Sequence, residues 1–567
     1  MTETTAPIAE NPRTSTTARI GWAILILATL YVCYFSHLGA IGFVGPDEPR
    51  YAWIARDMAE TGDWVTPRLY GKPWFEKPPL FYWSAALSFK LFGVSEAAAR
   101  LPSAISALLA TLALAWLALR LYGAETACWL LLLLPTTVGM IGFSHAAATD
   151  MSFSAMLTIA MVCAAVVLGL TRNQNTPILP RTPWLALPLF GFFLGLAVLA
   201  KGPAAMILSG GAIFFWALFT KRWRDAFRLF HPAAIASFCL TALPWYILCA
   251  RRNPGFFHIF IIEHNFKRYL SPEFQHIQPF WYYGPIILIA MIPWSVLIVS
   301  MVIDAVRSFR EGRWKTPNSL FLAFWTLFPL AFFSFSQSKL PGYVLPTLPP
   351  LSALAARSLV LAFQRSLAAA RWLAIAVAML LMVPAGVLWY LALIPPRDIG
   401  LHPLEARLLW ASLYGLLGFL ALILALWNKP RAAFLIVIVV VLFSITAIRR
   451  GLKDIDVQNH SIRASVQAAQ NQWPDFSPGQ ASSFKLRRAD QYGLNFYLRR
   501  EVPTWSKDHR EPGWVFGTKN LWGDYWTEGM DCVFVSNVDM ISQPVVCKDP
   551  GSWQRLVDRL PRSGQPR

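Results

Sequence analysis

A chain of 567 residues with 56% hydrophobic and only 14% charged side chains cannot form a water-soluble shell, since soluble domains carry roughly 25% charge. Its formal net charge of +19 is an oddity on so few charged groups. The 14% aromatic content and 41 prolines suit interfacial belts and broken helices. The composition predicts a polytopic membrane protein, with membrane lipids around it and no nucleic-acid partner.

In chain order, a Thr-rich cytoplasmic tail, 1–19, is expected to be disordered. Windows of roughly 20 apolar residues then read as about thirteen spans. They are 20–43, 99–120, 124–142, 149–170, 184–200, 203–219, 231–250, 280–303, 318–336, 343–363, 370–394, 407–427 and 431–448. The first is too long for a signal-peptide core and no small-residue cleavage site follows it, so it is kept as a span. With the amino terminus inside, every inner loop is basic: Arg172/Arg181, Lys221-Arg222-Arg224-Arg228, Arg307-Arg310-Arg313-Lys315, Arg365/Arg371 and Lys429/Arg431. Loops 44–98 and 251–279 and the tail 449–567 then lie outside. The tail is polar with short β-like runs at Cys532–Val535 and Val545–Cys547, and reads as a small α/β domain.

The few polar clusters fall on that outer face. Pro49 suits the first turn of a helix, so Asp47 and Glu48 sit at a helix amino terminus, either as caps or as carboxylates at the water–lipid boundary. The helix that follows puts Tyr51, Ile54, Ala55 and Met58 on one face, with Arg50, Asp57 and Glu60 mostly away from it. It reads as an amphipathic helix lying on the membrane. Prolines 73, 78 and 79 hold Glu76-Lys77 on an extended strut before an apolar helix, 80–92. Asp150 begins a span, again as a cap or as a second functional carboxylate. Glu263-His264 with Lys267 and Arg268, and Lys339 with Tyr343, complete the set; Lys339 also reads as a snorkelling anchor.

Lysines and arginines gathered on one face suit a phosphate-bearing ligand. Glu76 and His264 are candidate ligands for a divalent metal such as zinc or magnesium. Two separated residues, with no HExxH-like or paired-cysteine spacing, suit an ordinary interfacial histidine better. Cys532 and Cys547 are the two cysteines of the outer tail, where an oxidising compartment permits a disulfide.

Several stretches together resemble the aminoarabinose transferases that modify lipid A. These are Pro46-Asp47-Glu48-Pro49-Arg50-Tyr51-Ala52, Gly62-Asp63-Trp64, Phe75-Glu76-Lys77-Pro78, Glu263-His264 with Arg268, Pro279–Tyr283 and Lys339–Tyr343. More broadly they are similar to the polytopic glycosyltransferases that use polyprenyl-phosphate sugars, including protein mannosyltransferases. The resemblance covers roughly residues 20–350. It implies a C-type glycosyltransferase fold in a bacterial inner membrane, with thirteen spans and a periplasmic carboxyl-terminal domain. It also implies transfer of a sugar, 4-amino-4-deoxy-L-arabinose, from undecaprenyl phosphate to lipid A. By matching motif, Asp47 is the candidate catalytic carboxylate and Asp150 a second acid near it. Lys77, Arg268 and Tyr343 match the cavity for the carrier phosphate, and Glu76 and His264 match positions that can hold a metal. Pro49 departs from the pattern, standing where a small or polar residue is often found. A protein or polysaccharide acceptor is the alternative. A lipid-linked sugar transporter ranks below both, because transporters place their charges near the bilayer midplane.

Overall fold

The computed structural model describes residues 16–171, 182–267, 277–312, 314–393, 404–455, 462–484, 486–504, 513–518, 531–534 and 544–548. Helix dominates it. Among the described residues, eight helices are long and apolar enough to cross a membrane: Thr16–Tyr34, Glu96–Tyr122, Thr149–Val167, Trp184–Lys201, Pro232–Arg252, Pro317–Phe335, Pro341–Arg365 and Pro430–Ala447. The expected span 124–142 is a broken one, Ala124–Leu133 followed by Val138–Ser144 with a bend of 62°. The expected spans 203–219, 280–303, 370–394 and 407–427 carry shorter apolar helices or helix pairs, such as Ala204–Thr220 and Tyr283–Ala290 followed by Val296–Arg310. Every apolar stretch predicted to span carries helix, as unpaired backbone in hydrocarbon would be costly, but the first, expected over 20–43, is helical only to Tyr34 and continues as turns.

At the amino terminus the first helix begins at Thr16, so residues 16–19 are helical rather than disordered. At the other end of the helical domain, Pro430–Ile455 continues past the expected boundary at 448.

Helix Thr149–Val167 is the bundle's centre, with 94% of its spanning window buried. It packs between Glu96–Tyr122 and Thr182–Lys201. Small residues permit this: Ala155, Ala160, Ala164 and Ala165 are all fully buried, and without a hydrophobic drive between helices in lipid, close packing supplies the attraction. Helices Thr182–Lys201 and Pro232–Arg252 approach closely at Gly191, where a Cβ would fall 2.0 Å from the Ala234 carbonyl oxygen. Centrality has a consequence for function. The first turn of Thr149–Val167, which carries Asp150, emerges at the middle of one end of the bundle.

That end is roofed by the loop 44–98. Helix Asp47–Thr61 buries Tyr51, Ile54, Ala55 and Met58, the face anticipated from spacing. Its chain then makes a two-stranded hairpin, β1 (Arg68–Leu69) against β2 (Lys72–Pro73), and an irregular proline-rich strut leading to helix Leu80–Phe92. Trp245 Nε1 donates to the Val65 carbonyl (2.9 Å), and Phe75 meets Phe256 edge-on at 5.1 Å, tying the loop to the second outer segment.

The carboxyl-terminal domain combines helices Ile462–Gln472 and Arg488–Leu498 with a four-stranded sheet, and so is α/β as expected. Strands β3 (Ala481–Ser483), β4 (Trp514–Thr518), β5 (Asp531–Phe534) and β6 (Pro544–Lys548) pair in the order β3-β4-β6-β5. The domain docks on the roof. Tyr497 Oη donates to Glu96 (2.9 Å), Arg463 donates to Glu96 (3.1 Å), and Phe496 packs edge-on against Phe43 at 4.8 Å.

Candidate functional site

Asp47 is not a cap. The helix starts at it, the preceding Pro46 offers no side-chain cap, and the Asp47 carboxylate instead accepts from Arg50 one turn on, at 2.5 Å. The same guanidinium reaches Glu76 across the strut at 2.9 Å, and Lys77 lies 3.4 Å from the other Glu76 oxygen. The chain bends at Glu76 and Lys77, between Pro73 and Pro78, rather than staying extended as expected, and the bend brings Glu76 onto Arg50 in the first turn of the helix. Arg50 was expected to point mostly away from the buried face, yet it is only 4% exposed. Three aromatic rings surround it, Tyr51 at 5.2 Å, Trp74 at 5.6 Å and Tyr492 at 5.7 Å. Burial works against its charge, but Glu76 and then Tyr51 and Asp47 push its pKa above the ordinary arginine value. Burial, with Glu76 and Asp47 adding to it, drives the Tyr51 phenol well above its usual range, so it stays neutral. Within this buried set the Asp47 side chain is 55% exposed. That leaves a carboxylate open at the mouth of a rigid cluster.

Glu48, its neighbour, faces the interior. It is 6% exposed and accepts from Arg100 through both oxygens (3.0 and 2.7 Å), and from the backbone N–H groups of Val44 and Ala147 (2.7 Å each). Arg100 also donates to the carbonyls of Leu38, Ile41 and Gly42 at 2.8–2.9 Å. All five guanidinium donors are thus used. Removing either partner would strand a buried charge. Glu48 locks the amino terminus of helix Asp47–Thr61 against the loop that leads to Asp150.

Asp150 likewise does not stand at the cap position. Ala148 stands at the cap position without a side-chain bond, and the Asp150 carboxylate accepts from Lys201 at 2.5 Å. Lys201 lies over the Tyr343 ring at 4.7 Å. Gly342 is what admits Asp150, since a Cβ there would stand 2.8 Å from Oδ1. Asp150, Lys201, Gly342 and Tyr343 therefore form a second cluster at the same end of the bundle. The sequence reading missed Lys201 because its flanking spans were drawn to end at 200 and restart at 203. A lone cation in an apolar run was the available signal.

Lys339 is 7% exposed and its ammonium donates to the carbonyls of Ser336 (2.6 Å) and Gln278 (3.0 Å). It pins the end of the second outer segment rather than snorkelling. Glu263 lies 42% exposed, 3.7 Å from His258. The side chains of His264 and Lys267, and the whole of Arg268, lie outside the described residues. Cys532 and Cys547 are backbone partners across β5 and β6, and their side chains too lie outside the described residues.

No three metal-ligating side chains converge among the described residues. Glu76 already faces Arg50 and Lys77, so a cation there would first have to displace two others. The other expected ligand, the His264 side chain, lies outside the described residues, and no step below is routed through a metal.

Comparison with known proteins agrees with this architecture. The family model of dolichyl-phosphate-mannose-protein mannosyltransferases matches residues 20–260. An undecaprenyl phosphate-alpha-4-amino-4-deoxy-L-arabinose arabinosyl transferase of Erwinia tasmaniensis is 35% identical over 55% of this chain and 54% of the relative. The enzyme of that name from Aeromonas salmonicida is 34% identical over 60% of each chain. The chain thus spans a little over half the length of the curated relatives it matches. The crystal structure of ArnT from Cupriavidus metallidurans bound to undecaprenyl phosphate superposes with a TM-score of 0.74, covering 95% of this chain and 99% of that one at 22% identity. The fold is the C-type glycosyltransferase fold, and the chain resembles the aminoarabinose transferases in sequence.

Proposed function

We propose that this chain is a membrane glycosyltransferase that transfers 4-amino-4-deoxy-L-arabinose from undecaprenyl phosphate to lipid A. The observation that carries the reading is the pairing of an open carboxylate with buried cations at one end of the bundle. Asp47 opens outward from the Arg50–Glu76–Lys77 cluster, and Lys201 stands beside Tyr343 in the neighbouring one. The likeness to the arabinosyl transferases supports the sugar and its carrier. The basic loops on the other face support a periplasmic site, a cytoplasmic amino terminus and an outer carboxyl-terminal domain.

A glycosyl phosphate leaves readily once its phosphate charge is neutralised. Lys77 and Lys201 would take that role, with Tyr343 Oη as a hydrogen-bond donor and Arg268 as a further cation. Asp47 acts on the acceptor. A hydroxyl acceptor must lose a proton, and Asp47 would then be its general base. A lipid A phosphate, with a second pKa of about 6, is already ionised near neutral pH. Asp47 then orients it or balances positive charge developing on the sugar. Asp150 holds Lys201 toward the leaving phosphate. The metal expected at Glu76 and His264 is not called upon.

The full chain, reconstituted with synthetic undecaprenyl-phosphate aminoarabinose and lipid A, tests the reading. Lipid A gaining the mass of one aminopentose is expected, and Asp47→Asn should abolish the gain while the folded protein stays in the membrane. Transfer to a protein or glycan acceptor with lipid A unmodified would overturn the acceptor. Near-normal transfer by Asp47→Asn would remove Asp47 from catalysis.

A further inference from the structure

Helices Thr182–Lys201, Ala204–Thr220 and Pro232–Arg252 enclose a groove with about 560 Å³ of room. Its walls are apolar, among them Phe190, Leu194, Met206, Ile213 and Phe238. The hydroxyl of Ser209, the wall's polar side chain, is already used on the Ala205 carbonyl at 2.8 Å. The groove begins near Met206, in the first turn beyond Lys201. It ends past Thr220 at the short helix Trp223–Phe227 and the turn Arg228–Phe230. At 1.5 Å per residue this is a descent of about 20 Å, ending on the membrane face opposite Asp150. Half a hydrocarbon core is about 15 Å, so the groove is long enough to hold an acyl chain through one leaflet.

The floor segment is built for a membrane boundary. Trp223, Ala226, Phe227 and Phe230 recur at helical spacing and line the groove, while Arg224, Asp225 and Arg228 fall on the other side. Phe227 and Phe230 are 65% and 69% exposed, an aromatic lip with little protein over it. Around this lip stand four cations and one acid. Arg222 is committed, donating to Asp225 (2.6 Å) and to the Leu168 carbonyl (3.0 Å). Arg228, also beside Asp225 at 2.9 Å, is 57% exposed. Lys221 and Arg224 are exposed and form no ion pair among the described residues.

We propose that this groove is a binding site for an anionic phospholipid, with one acyl chain between the three helices and the head-group phosphate among Lys221, Arg224 and Arg228. Basic pockets between spanning helices recognise such head groups. The polyprenyl donor is a poorer occupant, because with its phosphate at Lys201 it would leave the cations at the groove's other end without an anion. A zwitterionic phospholipid fills the groove equally well but brings no net charge to the cations.

The test uses the purified full chain in neutral detergent. Retained dioleoyl phosphatidylglycerol and dioleoyl phosphatidylcholine, which have the same acyl chains, are compared by native mass spectrometry. Phosphatidylglycerol should be retained at least about tenfold better. The double variant Arg224→Gln/Arg228→Gln should lose about 30-fold of its affinity for that lipid, the product of two surface cations. At Gly210 a Cβ would meet nothing within 4 Å, and the position lines the groove. Gly210→Leu should therefore fill the groove and weaken both lipids; if that variant fails to fold, Met206→Trp fills it from an exposed position. Equal retention of the two lipids, or unchanged phosphatidylglycerol retention in the charge variant, would overturn the head-group site. Unchanged retention in the filled variant would overturn the groove as the acyl seat.

Discussion

The guanidinium of Arg50 lies 5.7 Å from the ring centroid of Tyr492, so the carboxyl-terminal domain supplies one wall of the cluster that holds Asp47. Arg488, at the start of the same helix as Tyr492, lies 5.5 Å from that ring. The domain is therefore not a passive appendage. It orders the residue that bridges Asp47 and Glu76.

Loss of that wall should slow the reaction without unfolding the membrane domain. A cation–π contact at such a site is worth about 0.5–1 kcal/mol. Tyr492→Ala is expected to lower kcat roughly two- to fivefold with KM for the donor little changed, and Tyr492→Phe should restore it. Steady-state kinetics of the reconstituted enzyme decide the matter; an unaltered kcat in Tyr492→Ala would disconnect the domain from the site.

Adjacent acids should behave in opposite ways. Glu48 is buried on Arg100, and leaving one buried charge without its partner costs roughly 3–5 kcal/mol. Glu48→Ala and Arg100→Met are each expected to cut the yield of folded protein and lower Tm sharply. Asp47→Asn should leave Tm close to the parent value. Thermal unfolding in detergent separates the pair, and a stable Glu48→Ala would disprove the locking role.

Gly342→Ala tests the second cluster without touching a charged group. The added methyl would stand 2.8 Å from Asp150 Oδ1, forcing the Asp150–Lys201 pair to shift. Misplacement of about 1 Å can cost roughly 100-fold in rate, so transfer should fall by roughly ten- to a hundredfold with normal membrane insertion. Lys201→Ala should raise KM for the polyprenyl donor. Full activity in both variants would detach this cluster from the reaction.

In the outer domain, the register that pairs Cys532 with Cys547 brings their Cα atoms to about 4.5–5.5 Å, within the range a disulfide spans. A bridge closing a loop of this length stabilises by about 3 kcal/mol. Peptide maps should show a linked pair that disappears on reduction, and the reduced protein should unfold at lower temperature. Identical maps with and without reductant would exclude the bond.

Much of this protein was legible without coordinates. The low charge and the apolar runs determined a helical membrane domain, because backbone in lipid must satisfy its own hydrogen bonds. The prolines around Glu76 and the spacing of Tyr51, Ile54, Ala55 and Met58 gave the strut and the buried face of the roof helix. The part of the +19 that basic loops do not explain pointed to Lys77, Lys267, Arg268 and Lys339; of these, Lys77 joins the Arg50–Glu76 cluster and Lys339 pins a loop instead.

Tertiary structure alone decided the partnerships. Asp47 and Asp150 both looked like helix caps, since local spacing cannot distinguish a capping carboxylate from one claimed by a cation a turn away or on another helix. Arg50 rather than a free N–H takes the first, and Lys201 takes the second. Arg100 and Tyr492 lie far from Glu48 and Arg50 in sequence, on elements whose own periodicity is satisfied without them. Hydrophobic pattern is a local property of the chain and fixes which segments become helices. Charge pairing in a buried site depends on which helix ends meet, and only the packed bundle specifies that.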